Sequence, residues 1–223
     1  MISVGILSMS TTLYAQFKVG LLTGITSNTL DTSTKNRPFG KYESRSGFTA
    51  AIPLQYHFND WFALGADLSY IEKNYSWSRT GFYEGIGQTT TNSYIQLPLM
   101  TRFSFGGERL RGFTNLGGYV GYWINSNIQG VALDMMNNSN PEYEYNEKYT
   151  FDKRRDNRVE LGLLASIGIE YIWNRYSFFL EARYYHGMTD LQKNYMINQI
   201  PRYNKTVAVQ VGCMFDLFHF SQK

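Results

Sequence analysis

Hydrophobic and polar residues alternate along two consecutive stretches, Val159–Tyr171 and Tyr176–Tyr184. In the first stretch the odd positions are apolar, whereas the even positions are mostly glycine, serine and glutamate. A period of two is typical of β-strands. The residues Trp173-Asn174-Arg175 between the stretches predict a tight turn, so the pair is predicted to form a hairpin.

The same alternation predicts six further strands, which makes eight in total. Their segments are residues 16–27, 47–58, 62–70, 94–105, 112–125 and 205–218.

The connections between these strands alternate strictly between long and short. The long polar connections cover about Ser27–Ser46, Asn74–Asn92, Ser126–Asn157 and Met188–Asn204, and the short ones lie near Asn59-Asp60, Gly106–Arg111 and 173–175. An even strand number with short periplasmic turns and long extracellular loops is typical of outer-membrane barrels. We therefore predict an all-β fold: an eight-stranded antiparallel up-and-down transmembrane β-barrel, whose strands are long enough to cross a bilayer.

Charged residues on the strands share the face opposite the apolar one. In an eight-stranded barrel this face fills the narrow lumen, where carboxylates need cationic partners or water. The apolar face would overfill a small soluble barrel and is therefore predicted to contact lipid. The predicted polar network of the lumen, with a structural role, consists of Asp67, Arg102, Glu160, Glu170, Glu181 and Arg183.

Aromatic residues flank two of the short turns. Trp61 lies beside one of them, and Tyr171, Trp173 and Tyr176 surround the other. Aromatic side chains concentrate at membrane–water interfaces. We therefore predict that these four residues form part of a membrane-interface girdle.

Composition narrows the function classes. The chain has 223 residues, of which 17% are charged, and a net charge of +3 that is scattered along the sequence, so nucleic acid is not a predicted partner. The single cysteine, Cys213, excludes a disulfide framework, and no spacing typical of metal ligands occurs, so neither a metal nor another cofactor is predicted. The mean hydropathy of −0.34 indicates no helical membrane span.

The first fifteen residues, MISVGILSMSTTLYA, are predicted to be a signal peptide cleaved after Ala15, which leaves residues 16–223 as the barrel domain. No Lys or Arg precedes the apolar run, which departs from the usual signal. The alternative is an N-terminal strand or buried segment of the mature domain.

Four segments together are similar to a known family: YIQLPLMTRF (94–103), LGGYVGYW (116–123), LGLLASIGIEY (161–171) and LEARYYHGMTDL (180–191). They resemble the PorT-like outer membrane β-barrel proteins of Bacteroidota. The resemblance implies an eight-stranded barrel in an outer membrane, and some members of the family serve type IX protein secretion. It implies no catalytic residues. The C-terminal MFDLFHFSQK departs from barrels that end on an aromatic residue.

The leading functional hypothesis is a small non-enzymatic barrel of the outer membrane. Its partners would be membrane lipid and other outer-membrane or secretion-complex proteins. One alternative is an enzyme acting on lipid or peptide at the loop rim, for which His186, Glu181 and Ser166 are the candidates, without the spacing of a triad. Another is a soluble lipocalin-like barrel with its apolar face around a ligand.

Overall fold

The computed structural model describes residues 16–32, 40–81, 84–133, 142–193 and 199–217. The predicted signal peptide, residues 1–15, lies outside the described residues. No helix in the described ranges is long and apolar enough to span a membrane. The strands of these ranges are β1 (Gln16–Asp31), β2 (Gly40–His57), β3 (Phe62–Glu72), β4 (Tyr75–Arg79), β5 (Gly87–Gly106), β6 (Leu110–Leu133), β7 (Glu142–Lys148), β8 (Val159–Trp173), β9 (Tyr176–Gly187) and β10 (Tyr203–Asp216).

Eight of the strands close into a ring. The order around the wall is β1, β2, β3, β5, β6, β8, β9 and β10, with β10 paired back to β1, and every pairing is antiparallel. β4 continues β3 beyond a break at Lys73-Asn74, and β7 lies outside the ring against β6. The prediction of an eight-stranded antiparallel barrel is confirmed. Ring closure gives each wall strand two neighbours, as the hydrocarbon region of a membrane requires.

The short turns lie at one end of the barrel and the long loops at the other. The β8–β9 turn has two central residues, Asn174 and Arg175. Asn174 has a φ of 54°. Asparagine tolerates this left-handed backbone better than other residues with side chains, and hairpin turns of two residues require it.

The wall has an apolar outer surface and a polar interior. Leu21, Leu161 and Ile167 are 70%, 54% and 65% exposed on the outside of the ring. A soluble barrel would bury these side chains, so the lipocalin-like alternative is wrong. Lipid contact with the outer surface explains the exposed leucine, isoleucine and valine side chains of the wall strands.

Several strands are longer than the alternation predicts. β2, β5 and β6 have 18, 20 and 24 residues, whereas a strand of about 9–11 residues crosses a bilayer. Parts of the predicted loops 27–46, 74–92 and 126–157 are therefore strand. Beyond the membrane both faces of a strand meet water, so the period-two pattern disappears while the backbone pairing continues.

The strand extensions form one sheet above the barrel wall, which we call the outer sheet. It consists of residues 40–44 of β2, β4, residues 87–92 of β5, residues 126–133 of β6, and β7, in that order.

The β5–β6 ladder changes register where the outer sheet begins. Tyr94 pairs with Trp123 and Ser93 pairs with Asn125, which leaves Ile124 as an additional residue in β6. Such a β-bulge exchanges the two faces of the strand beyond it. Ser126 is consequently buried inside, whereas Ile124, also at an even position, is exposed outside.

Candidate functional site

The middle of the lumen is crossed by one arginine. Arg183 of β9 donates to Asp67 of β3 over 2.6 Å and makes two hydrogen bonds to Glu181, of 2.9 and 3.0 Å. Asn115 of β6 donates to the same Glu181 over 3.0 Å. The paired guanidinium nitrogens match both carboxylate oxygens, an arrangement that fixes geometry as well as charge. Three strands of the wall, β3, β6 and β9, are therefore connected through the interior.

A second cluster closes the lumen near the short turns. Arg102 of β5 donates to Glu170 of β8 over 2.7 Å, and Lys18 of β1 lies 3.7 Å from the same carboxylate. The Arg102 guanidinium also lies 3.6 Å from the centre of the Phe113 ring. The aromatic face and the carboxylate together stabilise the buried cation.

A third cluster lies toward the long loops. Lys73 and the Tyr119 hydroxyl each approach the same Glu160 oxygen to 2.5 Å. Asn204 donates to the other Glu160 oxygen over 2.8 Å. The Lys73 ammonium group lies 4.7 Å from the centre of the Tyr119 ring, so the cation is enclosed by an acid and aromatic faces.

These clusters contain all six residues of the predicted polar network. Their side chains are between 1% and 3% exposed and face the interior. Lys18 and Lys73, which complete the charge pairing, were not among the predicted residues. Lys73 follows Asp67 by an even number of residues, and Lys18 alternates with the apolar Phe17 and Val19. The alternation within the predicted strand 16–27 already places Lys18 in the lumen, and extending the alternation of strand 62–70 by three residues places Lys73 there.

The lumen is filled by large side chains that lie over glycines of neighbouring strands. Phe113 pairs with Gly168 and Phe179 pairs with Gly212. A Cβ atom at either glycine would lie 2.3 Å from the facing ring. Narrow barrels alternate small and large interior residues in this way. The glycines on the polar faces of the strands thus make room for the interior.

The interior arrangement is suited to a structural role. Its ion pairs join four cations with four carboxylates, so the charges of these pairs balance. Among the residues that the structure describes, both amide atoms of the buried Gln96 and the amide oxygen of Asn115 have no hydrogen-bond partner. Buried polar atoms of this kind are normally hydrogen-bonded to ordered water. We expect small hydrated gaps between the clusters.

The predicted girdle residues lie on the outer surface at the short-turn end. Trp61, Tyr171, Trp173 and Tyr176 are 58%, 47%, 61% and 48% exposed. Trp61 stacks near Phe103, with 6.4 Å between ring centres.

A second set of exposed aromatic residues, not predicted from the sequence, lies toward the long loops. It consists of Phe48, Tyr122 and Tyr184. The apolar band between the two aromatic sets marks the part of the wall that contacts lipid.

The candidates for a catalytic group are not brought together. Glu181 of β9 and Ser166 of β8 face the lumen. His186 lies on the opposite, outer face of β9, with its ring nitrogen 3.5 Å from the Tyr184 hydroxyl. Within the described ranges no group of three or more His, Cys, Asp and Glu residues could hold a metal ion.

Aromatic and charged residues cover the lumen at the long-loop end. Trp123 stacks on Tyr149 with 6.1 Å between ring centres, and the Tyr149 hydroxyl donates to Asp156 over 2.9 Å. Burial raises the pKa of Tyr149 to about 12. The hydroxyl therefore stays protonated as a donor at neutral pH. Arg155 also bonds to Tyr149 and Asp156, which fixes all three side chains.

Comparisons with solved structures give the same architecture. The outer membrane protein AlkL, determined in lipid bilayers, superposes with a TM-score of 0.53 at 9% identity, covering 100% of each chain. OprG from Pseudomonas aeruginosa gives a TM-score of 0.51 at 11% identity, covering 93% of this chain and 97% of that chain. These identities show a shared fold and nothing more specific. No curated protein sequence matches the chain significantly.

The sequence itself matches a family described as "Outer membrane protein beta-barrel domain" over residues 10–193. The match covers most of the chain and agrees with the lipid-facing wall and packed polar interior. Both structural neighbours are outer-membrane proteins as well. The chain therefore belongs to the outer membrane protein β-barrel domain family and is located in the outer membrane.

Proposed function

We propose that this protein is a non-enzymatic accessory component of a protein complex at the outer membrane, and that β7 is the strand with which it binds its partner. The observation that carries the proposal is the free edge of β7. Among the described residues β7 pairs only with β6. The edge of such a strand presents unpaired N–H and C=O groups, to which an extended segment of another protein can add.

The composition of β7 indicates what kind of segment it would bind. The strand reads EYEYNEK, with three glutamates and one lysine. Glu144 and Glu147 are exposed, and Tyr143 is 51% exposed. Backbone pairing would supply affinity, and the acidic edge would select a basic segment and disfavour an acidic one. We infer that the partner presents a basic extended segment.

Two further observations support an accessory role. The lumen holds paired, buried charges of the kind that stabilise a fold, and the candidate His186 is separated from Glu181 by the barrel wall. The four segments that resemble PorT-like proteins of Bacteroidota support placing the chain in that group. The partner would then be a component of protein secretion.

Site-specific photo-crosslinking in intact cells tests the proposal. A photoreactive amino acid is placed at Glu144, with the chain expressed at its natural level. We expect one discrete crosslinked species, identified by mass spectrometry as an envelope protein. The Glu147→Lys substitution should decrease its yield, because the new cation repels a basic segment while the barrel is unchanged.

The matched control is Glu108, an exposed glutamate in the short turn between β5 and β6 at the periplasmic end. A photoreactive residue there should not capture the same protein, and Glu108→Lys should leave the Glu144 crosslink unchanged. Absence of a discrete product from Glu144, or an identical product from both positions, would contradict the proposal.

A further inference from the structure

A small cavity lies at the extracellular mouth of the barrel, above the lumen. Its volume is about 200 Å³, and β4, β5, β6 and the connections before β8 and β10 contribute to its lining. Trp123 and Tyr149 form its aromatic side, whereas Ser126, Arg155, Asp156 and Arg202 supply polar groups. The volume suits a ligand smaller than a typical drug molecule.

The walls of the cavity are held by backbone hydrogen bonds. The Tyr149 N–H donates to the carbonyl of Ser126 over 3.0 Å, and the Lys193 N–H donates to the carbonyl of Arg155 over 2.8 Å. Bonds of this kind connect both extracellular connections to the barrel or to each other. The cavity is therefore formed in advance, which lowers the entropic cost of binding.

Two polar groups of the lining have no partner within the described residues. The Ser126 side chain is 1% exposed, and its hydroxyl makes no hydrogen bond. The Arg202 backbone N–H donates to Asp190 over 3.0 Å, but its guanidinium group makes no hydrogen bond or ion pair with a described residue. Native proteins rarely leave a buried donor such as the Ser126 hydroxyl unpaired. The half-buried Arg202 guanidinium lines the same cavity, so both groups are candidates for ligand contacts.

The charge of the lining is positive. Arg155 is paired with Asp156, whose oxygen lies 3.1 Å from the arginine Nε. Arg202 is the remaining cation of the lining, and no carboxylate compensates it among the described lining residues. Guanidinium groups bind carboxylate and phosphate oxygens through two parallel hydrogen bonds.

From this geometry we propose that the cavity binds a small oxyanion-bearing ligand, such as a sugar phosphate or sugar acid. Arg202 contacts the anionic group and the Ser126 hydroxyl contacts a ligand oxygen. This site is separate from β7 and does not depend on the partner proposed above.

Calorimetry with the full chain in detergent tests the site, with glucose 6-phosphate as the probe and glucose as the neutral comparison. We expect saturable binding of glucose 6-phosphate and much weaker binding of glucose. Arg202→Gln and Ser126→Ala should each weaken binding, the first about tenfold or more, because a hydrogen bond to a charged group is lost. Neither should change the unfolding midpoint, because neither side-chain group makes a hydrogen bond or ion pair with a described residue.

Arg154→Gln is the matched control, since Arg154 is exposed in the connection before β8, which contributes to the cavity, but Arg154 itself does not line the cavity. It should bind the probe as tightly as the unmodified chain. Equal affinity of the Arg202→Gln variant, equal affinity for glucose, or no binding up to about 10 mM glucose 6-phosphate would overturn the proposal.

A vesicle experiment separates two sources of the anion. If the cavity takes anionic lipid headgroups, lipopolysaccharide in the vesicles should compete with glucose 6-phosphate. If it takes soluble ligands, the affinity should be the same with and without lipopolysaccharide. Either result supports oxyanion binding and identifies where the ligand comes from.

Discussion

Arg183 reaches across the full width of the barrel to Asp67. The residues lie on β9 and β3, which stand opposite each other in the ring of eight strands, and their side chains are 2.6 Å apart. Contacts between opposite strands are possible only because an eight-stranded barrel is narrow. The Arg102–Glu170 and Lys73–Glu160 pairs lie below and above this contact, so three charged clusters obstruct the lumen in succession.

We predict that the barrel does not conduct ions. Single-channel recording in planar bilayers should show no regular conductance steps, whereas a large porin in the same bilayer should show them. The Arg183→Met variant should also stay closed, because the clusters on either side remain in place. Regular steps from the unmodified protein would show that the clusters do not obstruct the lumen.

Glu170 should matter more for stability than Arg102. Removing Glu170 leaves both Arg102 and Lys18 without a carboxylate, whereas removing Arg102 leaves Glu170 beside Lys18, 3.7 Å away. Breaking a buried pair costs about 3–5 kcal/mol. We expect Glu170→Gln to lower the free energy of unfolding by about that amount and Arg102→Met by less, as measured by urea unfolding in lipid vesicles.

The control for this prediction is Glu43→Gln, which removes an exposed glutamate 2.9 Å from Lys41. Water screens this pair, so the free energy of unfolding should hardly change. If Glu170→Gln is no more destabilising than Glu43→Gln, the buried cluster does not stabilise the fold.

Gly168 should be intolerant of a side chain. A Cβ atom there would lie 2.3 Å from the Phe113 ring and 2.5 Å from the Leu180 carbonyl oxygen. Overpacking of this kind costs about 1–3 kcal/mol, so Gly168→Ala should lower the free energy of unfolding and the fraction of heat-modifiable protein on gels.

Gly118→Ala is the comparison for Gly168→Ala, because the nearest atom to a Cβ atom at Gly118 is 3.4 Å away. We expect that substitution to have little effect. An equally small change in the free energy of unfolding for the two substitutions would mean that the lumen beside Phe113 accommodates a methyl group.

A charged substitution on the lipid-facing wall should destabilise the barrel more in the middle of the membrane than near its surface. Leu163 lies near the middle of the apolar stretch of β8 and is 55% exposed, whereas Val159 lies at its extracellular end. Arginine costs about 2–4 kcal/mol at the centre of the bilayer and about 0–1 kcal/mol near the interface. Urea unfolding in vesicles should show the larger loss for Leu163→Arg, and equal losses would place the membrane elsewhere on the wall.

The alternation of side chains was readable from the sequence because it follows from the backbone of a single strand. Within β8 and β9 the direction of Glu160, Glu170, Glu181 and Arg183 is determined by period two alone. The strict alternation of long and short connections likewise predicted that consecutive strands are neighbours in an up-and-down order, with an even number of strands. Asn174 marked one of the tight turns, since its conformation is local as well.

Partners across the lumen could not be assigned from the sequence, because Arg183 and Asp67 are 116 residues apart and meet only when the ring closes. The extensions of β5 and β6 were missed because water on both sides removes the alternation, and the bulge at Ile124 moved Ser126 inside.

The sequence alone therefore determined which residues line each face of the membrane-crossing strands and how the strands follow one another, since both depend on local geometry. Only the tertiary structure decided which charges pair, that β7 pairs with β6 alone among the described strands, and that Ser126 and Arg202 share a cavity. Those relations depend on ring closure and strand register, which join residues distant in the chain.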